Sequence, residues 1–460
     1  MRFIQVTLLN PYPDSPSLPT YPSLGLAYIG AVLEKNNYEV NVIDSHMLSY
    51  KIERTVDKIL TINPDILGIH LNIGNFFSVK MIYESLKNEE FTGKIVIGGP
   101  LSVSYDKILK FSDYVILGEG EKSFIDLLDY LRKGKNIKNL DGVAFKRKNK
   151  IVIKSQKFIT NIDEIPFPAW HLFPPLKKYK AYCRKRPNIP ISTSRGCPHL
   201  CIYCNKSVFG YKFRPRSPEN VVKEIEFLIN EYDAKELGIQ DDAFTLDSRR
   251  VFKICDLIIE KNLDIQWKCD NGVRVETLSD ELLKKMREAG CYMVAIGAET
   301  GNQSVSNKIG RNQDLKTVRK IAKMIKENGM VLKMFFQVGF PFDTPNTMKQ
   351  TIRFAEELNP DIAQFAISTP LPGTKMFELI ENEGKFLYDI WSSFSYYGGK
   401  SMFEIYDLKT EDIEQAFKQA YSQFYLKPKK IISMLKNTRS TEEIRYFLGT
   451  FSYIFRSMLR

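Results

Sequence analysis

Short runs of Ile, Val and Leu that suit buried strands alternate with amphipathic stretches of helical period, and the alternation stops once and restarts. In the first 135 residues the strand-like runs are 3–9, 39–43, 66–70, 94–97 and 114–117, with helical patterns such as 24–35 and 77–86 between them. Strands apolar on both faces, joined by helical crossovers, predict a doubly wound parallel sheet of the α/β class. Ligands of such sheets bind beyond the carboxyl ends of the strands. Those ends carry the stretch 10–25, Asp44-Ser45-His46, the polar stretch 72–75, Gly98-Gly99-Pro100 and Gly118-Glu119-Gly120-Glu121. Paired glycines after a strand let backbone approach a ligand closely, or serve a tight turn alone.

A hairpin is expected at 142–146 and 151–154, then a proline-rich linker at 165–175. From residue 189 the alternation restarts, with strands expected at 190–194, 236–240, 266–270, 293–297, 333–338 and 362–368. Helical patterns at 218–232, 280–289 and 315–328 fall between them. Six strand–helix repeats predict a partial (β/α)6 barrel with its chemistry at the strand carboxyl ends. After about residue 384 no strand alternation is visible, and 410–460 reads as helical, basic and aromatic. The expected organisation is therefore a Rossmann-like unit (1–135), hairpin and linker (136–188), partial barrel (189–385) and helical C-terminal region (386–460).

Sixty-six Lys and Arg against 54 Asp and Glu give a net charge of +12. The basic residues are dispersed rather than interleaved with aromatics along one segment, which favours a solvated surface over a nucleic-acid groove. An anionic partner, such as a phosphate, a lipid headgroup or an acidic redox protein, is the other reading. No window approaches the roughly 18–20 apolar residues of a spanning helix. The N-terminal apolar run 3–9 is too short and too soon broken by proline for a signal peptide. Seven cysteines, an odd number with none before Cys183, argue for a reducing compartment and a cytoplasmic location.

Three of those seven, Cys197, Cys201 and Cys204, lie within eight residues directly after the first strand of the second repeat. Clustered thiolates select zinc or iron–sulfur chemistry. A closed zinc site wants a fourth ligand, for which His199 and Cys183 are candidates. Three thiolates on a four-iron cubane instead leave one iron with an open position, as a catalytic centre requires. Gly196 and Pro198 suit a loop that bends round such a cluster. Cys255 and Cys291 read as core residues, and Cys269, near a strand end, is a candidate to face the barrel cavity.

The three cysteines, with Tyr203 before the last, resemble the signature loop of the radical S-adenosylmethionine superfamily. Residues 238–245, 296–300 and 338–341 resemble the second-, fourth- and fifth-strand motifs of the branch that carries an N-terminal cobalamin-binding domain. Residues 21–26, 97–100 and 117–121 resemble that domain itself, so the likeness covers about 1–385, with a further echo at 424–428. The resemblance implies a 4Fe–4S cluster on Cys197, Cys201 and Cys204 whose open iron binds S-adenosylmethionine. Reductive cleavage would then yield a deoxyadenosyl radical, with the cofactor carrying the difficult chemistry. It places Tyr203 near the adenine, Asp242 near the methionine amino group, and Glu299 and Gln337 at ribose or methionine. Strand-end capping for Asp242 and a buried hydrogen-bonded carboxylate for Glu299 are the structural alternatives.

For cobalamin the resemblance suggests Asn72, Gly98, Gly99, Gly118 and Glu119. It does not suggest histidine ligation through an Asp-x-His-x-x-Gly motif. The loop 10–25 has no histidine, and Asp44-Ser45-His46 follows the second strand with Ser49 in place of the glycine. Methylthiotransferases are set aside because their second cluster needs N-terminal cysteines. The expected activity is methylation of an unactivated carbon or phosphorus in a small-molecule or lipid substrate, with a flavodoxin- or ferredoxin-type electron donor. Cyclisation, oxidation or carbon–carbon coupling is the alternative within the class, and a metal-bearing nucleic-acid-binding module the rival outside it. The C-terminal region reads as a lid on the barrel, or as a peripheral membrane face.

Overall fold

A computed structural model describes residues 4–15, 21–133, 140–393 and 399–445. The chain forms two compact units, Met1–Lys180 with Asn205–Gly210, and Ala181–Cys204 with Tyr211–Arg460.

In the first unit β1 (Gln5–Asn10) lies between β2 (Glu39–Asp44) and β3 (Ile66–His70), followed by β4 (Lys94–Gly98) and β5 (Tyr114–Ile116), all parallel. Because β2 and β3 flank β1, the connections leave in opposite directions and open a crevice at the carboxyl ends of β1 and β3. Val6, Leu8, Leu9, Leu67, Ile69 and Ile97 are buried on both faces of the sheet. The helix Leu24–Lys35 falls where its pattern predicts.

The hairpin β6 (Val143–Arg147) and β7 (Lys150–Ile153) adds to the same sheet, antiparallel to β5. The proline-rich stretch is not a free linker but a layer of this unit. Ala169 N–H donates to Ala27 O (3.0 Å), Trp170 is buried, and Leu172 packs where a side chain on Gly30 would stand. The Tyr179 hydroxyl closes this layer on Asp44 (2.6 Å).

The second unit begins with β8 (Asn188–Ile191) and a short antiparallel pair, β9 (Ser194–Arg195) and β10 (Arg214–Pro215). Next come β11 (Glu236–Ile239), β12 (Gln266–Val273), β13 (Cys291–Glu299), β14 (Val331–Val338) and β15 (Ile362–Ile367). Strands β8, β11, β12, β13, β14 and β15 pair in parallel in that order, and β8 and β15 do not meet, so the barrel is open. At its amino ends the fully buried Lys268 and Glu236 pair, and Glu236 also accepts from Tyr292 OH (2.8 Å) and Arg184 N–H (2.7 Å). Removing one partner of such a pair would leave an uncompensated charge.

Beyond the barrel the sequence suggests no strand, yet β16 (Gly384–Phe386) and β17 (Phe403–Ile405) pair antiparallel. Three-residue strands are too short to show a period. The helix Thr410–Tyr425 covers the edge strand β15. Tyr425 OH donates to Ala363 O (2.6 Å) and accepts from Ala363 N–H (2.9 Å), while Tyr421 OH donates to Phe365 O (3.0 Å). These hydroxyls satisfy backbone groups that an open edge leaves unpaired. The part of the C-terminal expectation that falls on residues 446–460 lies outside the described residues. Among the described residues no helix is long and apolar enough to cross a membrane.

Candidate cofactor sites

The cysteine loop is set by an acid the sequence reading did not single out. Asp241, buried just after β11, accepts from Thr193 N–H (2.6 Å), Thr193 Oγ1 (2.5 Å) and Ser194 Oγ (2.6 Å). By taking those donors it pulls the chain off the sheet after Ile191, so the single strand expected at 190–194 divides into β8 and β9. The β9–β10 pair then closes the base of the loop 196–213. Arg250 fastens the base by donating to Thr193 O (2.5 Å) and Arg216 O (2.7 Å).

Within the loop Cys197 and Cys201 are buried and Cys204 is half-buried. Cys204 N–H donates to Cys201 O (3.2 Å), and Ile202 N–H donates to Ile309 O (3.0 Å). Gly310, at φ +70°, makes that second contact possible, because a Cβ there would stand 2.7 Å from Leu200 O. Among the described residues no three Cys, His, Asp or Glu side chains gather round one ion position. Cys183, offered by sequence as a fourth zinc ligand, is buried near Glu236 and Lys268 at the barrel's amino ends, where burial pushes its thiol up to about 11. Cys269 does not face the cavity. It is buried against Cys291, and that contact with burial pushes its thiol well above the ordinary range.

Three of the four side chains proposed for S-adenosylmethionine converge. Glu299 ends β13 with a left-handed φ of +64°, uncommon for a residue with a side chain and costing about 1–3 kcal/mol of strain. Gln337 Nε2 donates to its carboxylate (2.7 Å), and the Tyr203 hydroxyl hydrogen-bonds to it as well. Burial raises the Glu299 pKa against the opposing pull of Arg311. Burial likewise raises the Tyr203 pKa, helped by the Glu299 charge. Asp242 is exposed, next in the chain to the buried Asp241.

Arg311, which sequence reasoning missed, completes the group. It donates to Gly297 O (2.7 Å) and Gln313 Oε1 (3.0 Å). Burial opposes its charge, but Tyr203, Glu299 and Cys201 outweigh that cost and raise its pKa. Gly297 has no side chain because the Glu299 carboxylate and the Arg311 guanidinium occupy that space. The neighbouring 338–341 loop is tied down by Asp343, which accepts from Gly339 N–H (3.1 Å) and Phe340 N–H (2.9 Å). Burial pushes the Asp343 carboxyl up to about 6.

In the first unit the strand ends offer mostly backbone. Asn72 caps a turn, its oxygen accepting from Gly74 N–H (2.8 Å) and its own N–H donating to Asn75 Oδ1 (2.9 Å). Gly98 ends β4, and Gly99 takes a left-handed φ of +119°. The notch at Gly118 is filled by the Gln156 side chain, and Glu119 accepts from Ile159 N–H (2.9 Å), so both are engaged by residues 156–159 of the chain itself. Asn205 Nδ2 and Ser207 Oγ donate to Pro100 O (3.1 and 3.2 Å), which places the residues after Cys204 in this unit. His46 lies edge-on to Tyr12, and its Asp44 neighbour is bonded to Asn10 and Tyr179 instead.

A doubly wound sheet and an open barrel with a three-cysteine loop at its mouth define a two-domain cofactor enzyme. Residues 191–355 match the radical SAM superfamily and residues 17–128 match the B12 binding domain. A protein of Pyrococcus horikoshii described as an uncharacterised methyltransferase is 32% identical over 423 residues, covering 90% of each chain. The anaerobic magnesium-protoporphyrin IX monomethyl ester cyclase of Rubrivivax gelatinosus is 26% identical over 368 residues, covering 78% of this chain and 66% of that one. The cytidylyl-2-hydroxyethylphosphonate methyltransferase of Streptomyces wedmorensis is 28% identical over 450 residues, covering 83% of each. The solved structure of the cobalamin-dependent S-adenosylmethionine radical enzyme OxsB, with aqua-cobalamin and S-adenosylmethionine bound, aligns with a TM-score of 0.76. It is 16% identical and covers 99% of this chain and 72% of that one. The chain belongs to the radical SAM superfamily, in the branch that joins it to a B12 binding domain. The cofactors of that family are a 4Fe–4S cluster, S-adenosylmethionine and cobalamin.

Proposed function

We propose that this protein is a cobalamin-dependent radical methyltransferase acting on an unactivated carbon or phosphorus of a small-molecule or lipid substrate. The observation that carries the reading is the convergence of Tyr203, Glu299, Gln337 and Arg311 beside Cys201 at the barrel's strand ends. The residues fit the family's cofactors. Three thiols on one braced loop suit a cluster, and the buried Glu299 acid with the half-buried Arg311 guanidinium suits a zwitterionic amino acid. When bound, the cluster and S-adenosylmethionine supply a carbon radical, and cobalamin supplies a methyl group.

The side chains then have separable tasks. Cys197, Cys201 and Cys204 hold the cluster, and the turn at Gly310 fixes Cys201 against the barrel. Glu299 accepts hydrogen bonds from the ammonium or ribose, kept in place by Gln337. Arg311 presents a permanent positive charge for the methionine carboxylate. Tyr203, packed on Phe340, screens this group from water beside the adenine. Asp242 acts from the open rim. An acidic flavodoxin- or ferredoxin-type donor suits a chain of net charge +12 in a reducing cytoplasm.

The cyclase relative favours a second reading, ring closure without methyl transfer. The chain spans 66% of that cyclase but 90% of the Pyrococcus horikoshii methyltransferase, which favours methylation. Reduced, anaerobic protein incubated with methyl-labelled S-adenosylmethionine and cell extract separates the two. Label in a product supports methylation, deoxyadenosine without transferred label supports cyclisation, and no deoxyadenosine at all sinks both.

A further inference from the structure

Arg311 is held by both its backbone and its side chain. Its backbone oxygen accepts from Arg274 Nη2 (2.9 Å), and the preceding Gly310 sets its left-handed turn against Leu200 and Cys201. Its guanidinium donates through Nε to Gln313 Oε1 (3.0 Å) and through Nη2 to Gly297 O (2.7 Å). Gln313 is fully buried, and a Cβ on Gly297 would stand 3.0 Å from Nη2, so the group has little room to swing. These contacts use only part of a guanidinium's set of N–H donors. A further one goes to the Cys201 side chain.

Binding a methionine carboxylate does not call for that last contact, which falls on a cysteine assigned to the cluster. The Cys201 sulfur lies 3.7 Å from Gly310 O, where a thiol acts as a weak donor. A thiolate that holds iron has no proton left to give. It can only accept, and Arg311 is the charged donor beside it. Net charge and hydrogen bonds to the sulfurs both set the reduction potential of an iron–sulfur centre. An added electron makes the centre more negative, and a fixed cation at a ligand sulfur favours that state. Arg311 is half-buried, so salt screens its charge less than it would at the surface.

We propose that Arg311 acts on the cluster through Cys201, donating a hydrogen bond to the iron-bound sulfur and so raising the cluster's reduction potential. The inference rests on the cluster reading of Cys197, Cys201 and Cys204. It gives Arg311 a task that comes before S-adenosylmethionine binds. A guanidinium that served only the ligand's carboxylate would leave the potential of the ligand-free cluster unchanged, as would one that only braced the Gly310 turn.

Full-length protein is reconstituted anaerobically with iron and sulfide, without S-adenosylmethionine, and iron per chain is counted. The midpoint potential is measured by reductive titration followed by electron paramagnetic resonance. Arg311→Gln removes the charge and should make reduction about tenfold less favourable, on the order of one charged hydrogen bond, a fall of about 59 mV for a one-electron couple. Arg311→Lys keeps the charge without the planar fork and should recover part of that fall. Protein from cells fed arginine labelled with nitrogen-15 in the guanidinium should show a nitrogen-15 coupling to the reduced cluster in pulsed spectra, lost in Arg311→Lys. Equal midpoints in the unsubstituted and Arg311→Gln proteins, or no arginine nitrogen coupled to the reduced cluster, would overturn the proposal. So would a coupling that persists in Arg311→Lys, which would assign it to another arginine. The labelled unsubstituted protein decides the question even if neither variant folds. Unsubstituted protein that takes up no cluster overturns the cluster reading itself, and the iron count distinguishes that failure from the failure of Arg311 as donor.

Discussion

At the carboxyl ends of its strands the first unit presents backbone, with Asn72 and Glu119 engaged in local bonds and Gly99 in a left-handed turn. The second unit presents charge at the same ends, with buried Glu299 and half-buried Arg311 beside Tyr203 and Gln337. The difference matches two kinds of ligand. A large, mostly uncharged macrocycle is recognised by shape and backbone, whereas a zwitterion needs opposite charges held apart in a dry site. Substitutions in the first unit should therefore act through space and backbone, and those in the second through charge.

The largest expected effect is in the cysteine loop. Replacing Cys197, Cys201 and Cys204 together by Ala should abolish iron–sulfur absorbance and deoxyadenosine formation while cobalamin loading stays unchanged. Iron content and colour that survive the triple replacement would break the assignment. Cobalamin lost along with the iron would instead show that the two sites are not separable.

A charge effect of about 3 kcal/mol is expected at Asp343, from a shift of roughly two pKa units at about 1.4 kcal/mol each. Its folded pKa is raised to about 6 from 3.8, so the folded chain holds this proton more tightly than the unfolded chain. The stability this gives is complete below 3.8 and is lost as the pH rises to about 6. Asp343→Asn keeps the shape and an acceptor for Gly339 and Phe340. Urea unfolding of both proteins at several pH values should show the difference between them changing across that window, and a flat difference would remove Asp343 from the pH dependence.

The matching test in the first unit is Gly99→Ala. At φ +119° a side chain is strained, and its Cβ would stand 2.5 Å from Leu71 O. A cost of about 2 kcal/mol is expected, with reduced cobalamin loading and full iron content. Loss of iron in this variant would blur the contrast between the units.

How far the sequence discloses each site follows from the same contrast. Helix Leu24–Lys35 and the order of barrel strands are legible because apolar period is a local property repeated over many residues. The cysteine loop is legible because its ligands are adjacent in sequence. Arg311 is not: it stands 107 residues after Cys204 and becomes distinctive only when Gly310 brings its turn against Leu200 and Cys201. Asp241 and Asp242 are neighbours of one type, and only the course of the chain after Ile191 shows that the first is the buried anchor.

The smallest expected change in stability is at Gly25, the second residue of helix Leu24–Lys35, and it separates packing from binding in the first unit. Among the described residues the helix cap Ser23 makes no side-chain bond to the first turn, and nothing lies within 4 Å of a Cβ on Gly25. Alanine at that position meets no neighbour among the described residues and carries a better helix propensity, so Gly25→Ala should leave stability unchanged or raise it by up to about 1 kcal/mol. If the open space beside this uncapped helix end is where the corrinoid lies, the added methyl group takes room from the ligand. Cobalamin loading should then fall severalfold while the thermal midpoint holds or rises. Loading that is unaffected would move the cofactor away from this helix and towards the ends of β3 and β4, where Gly99 would carry the contact without it.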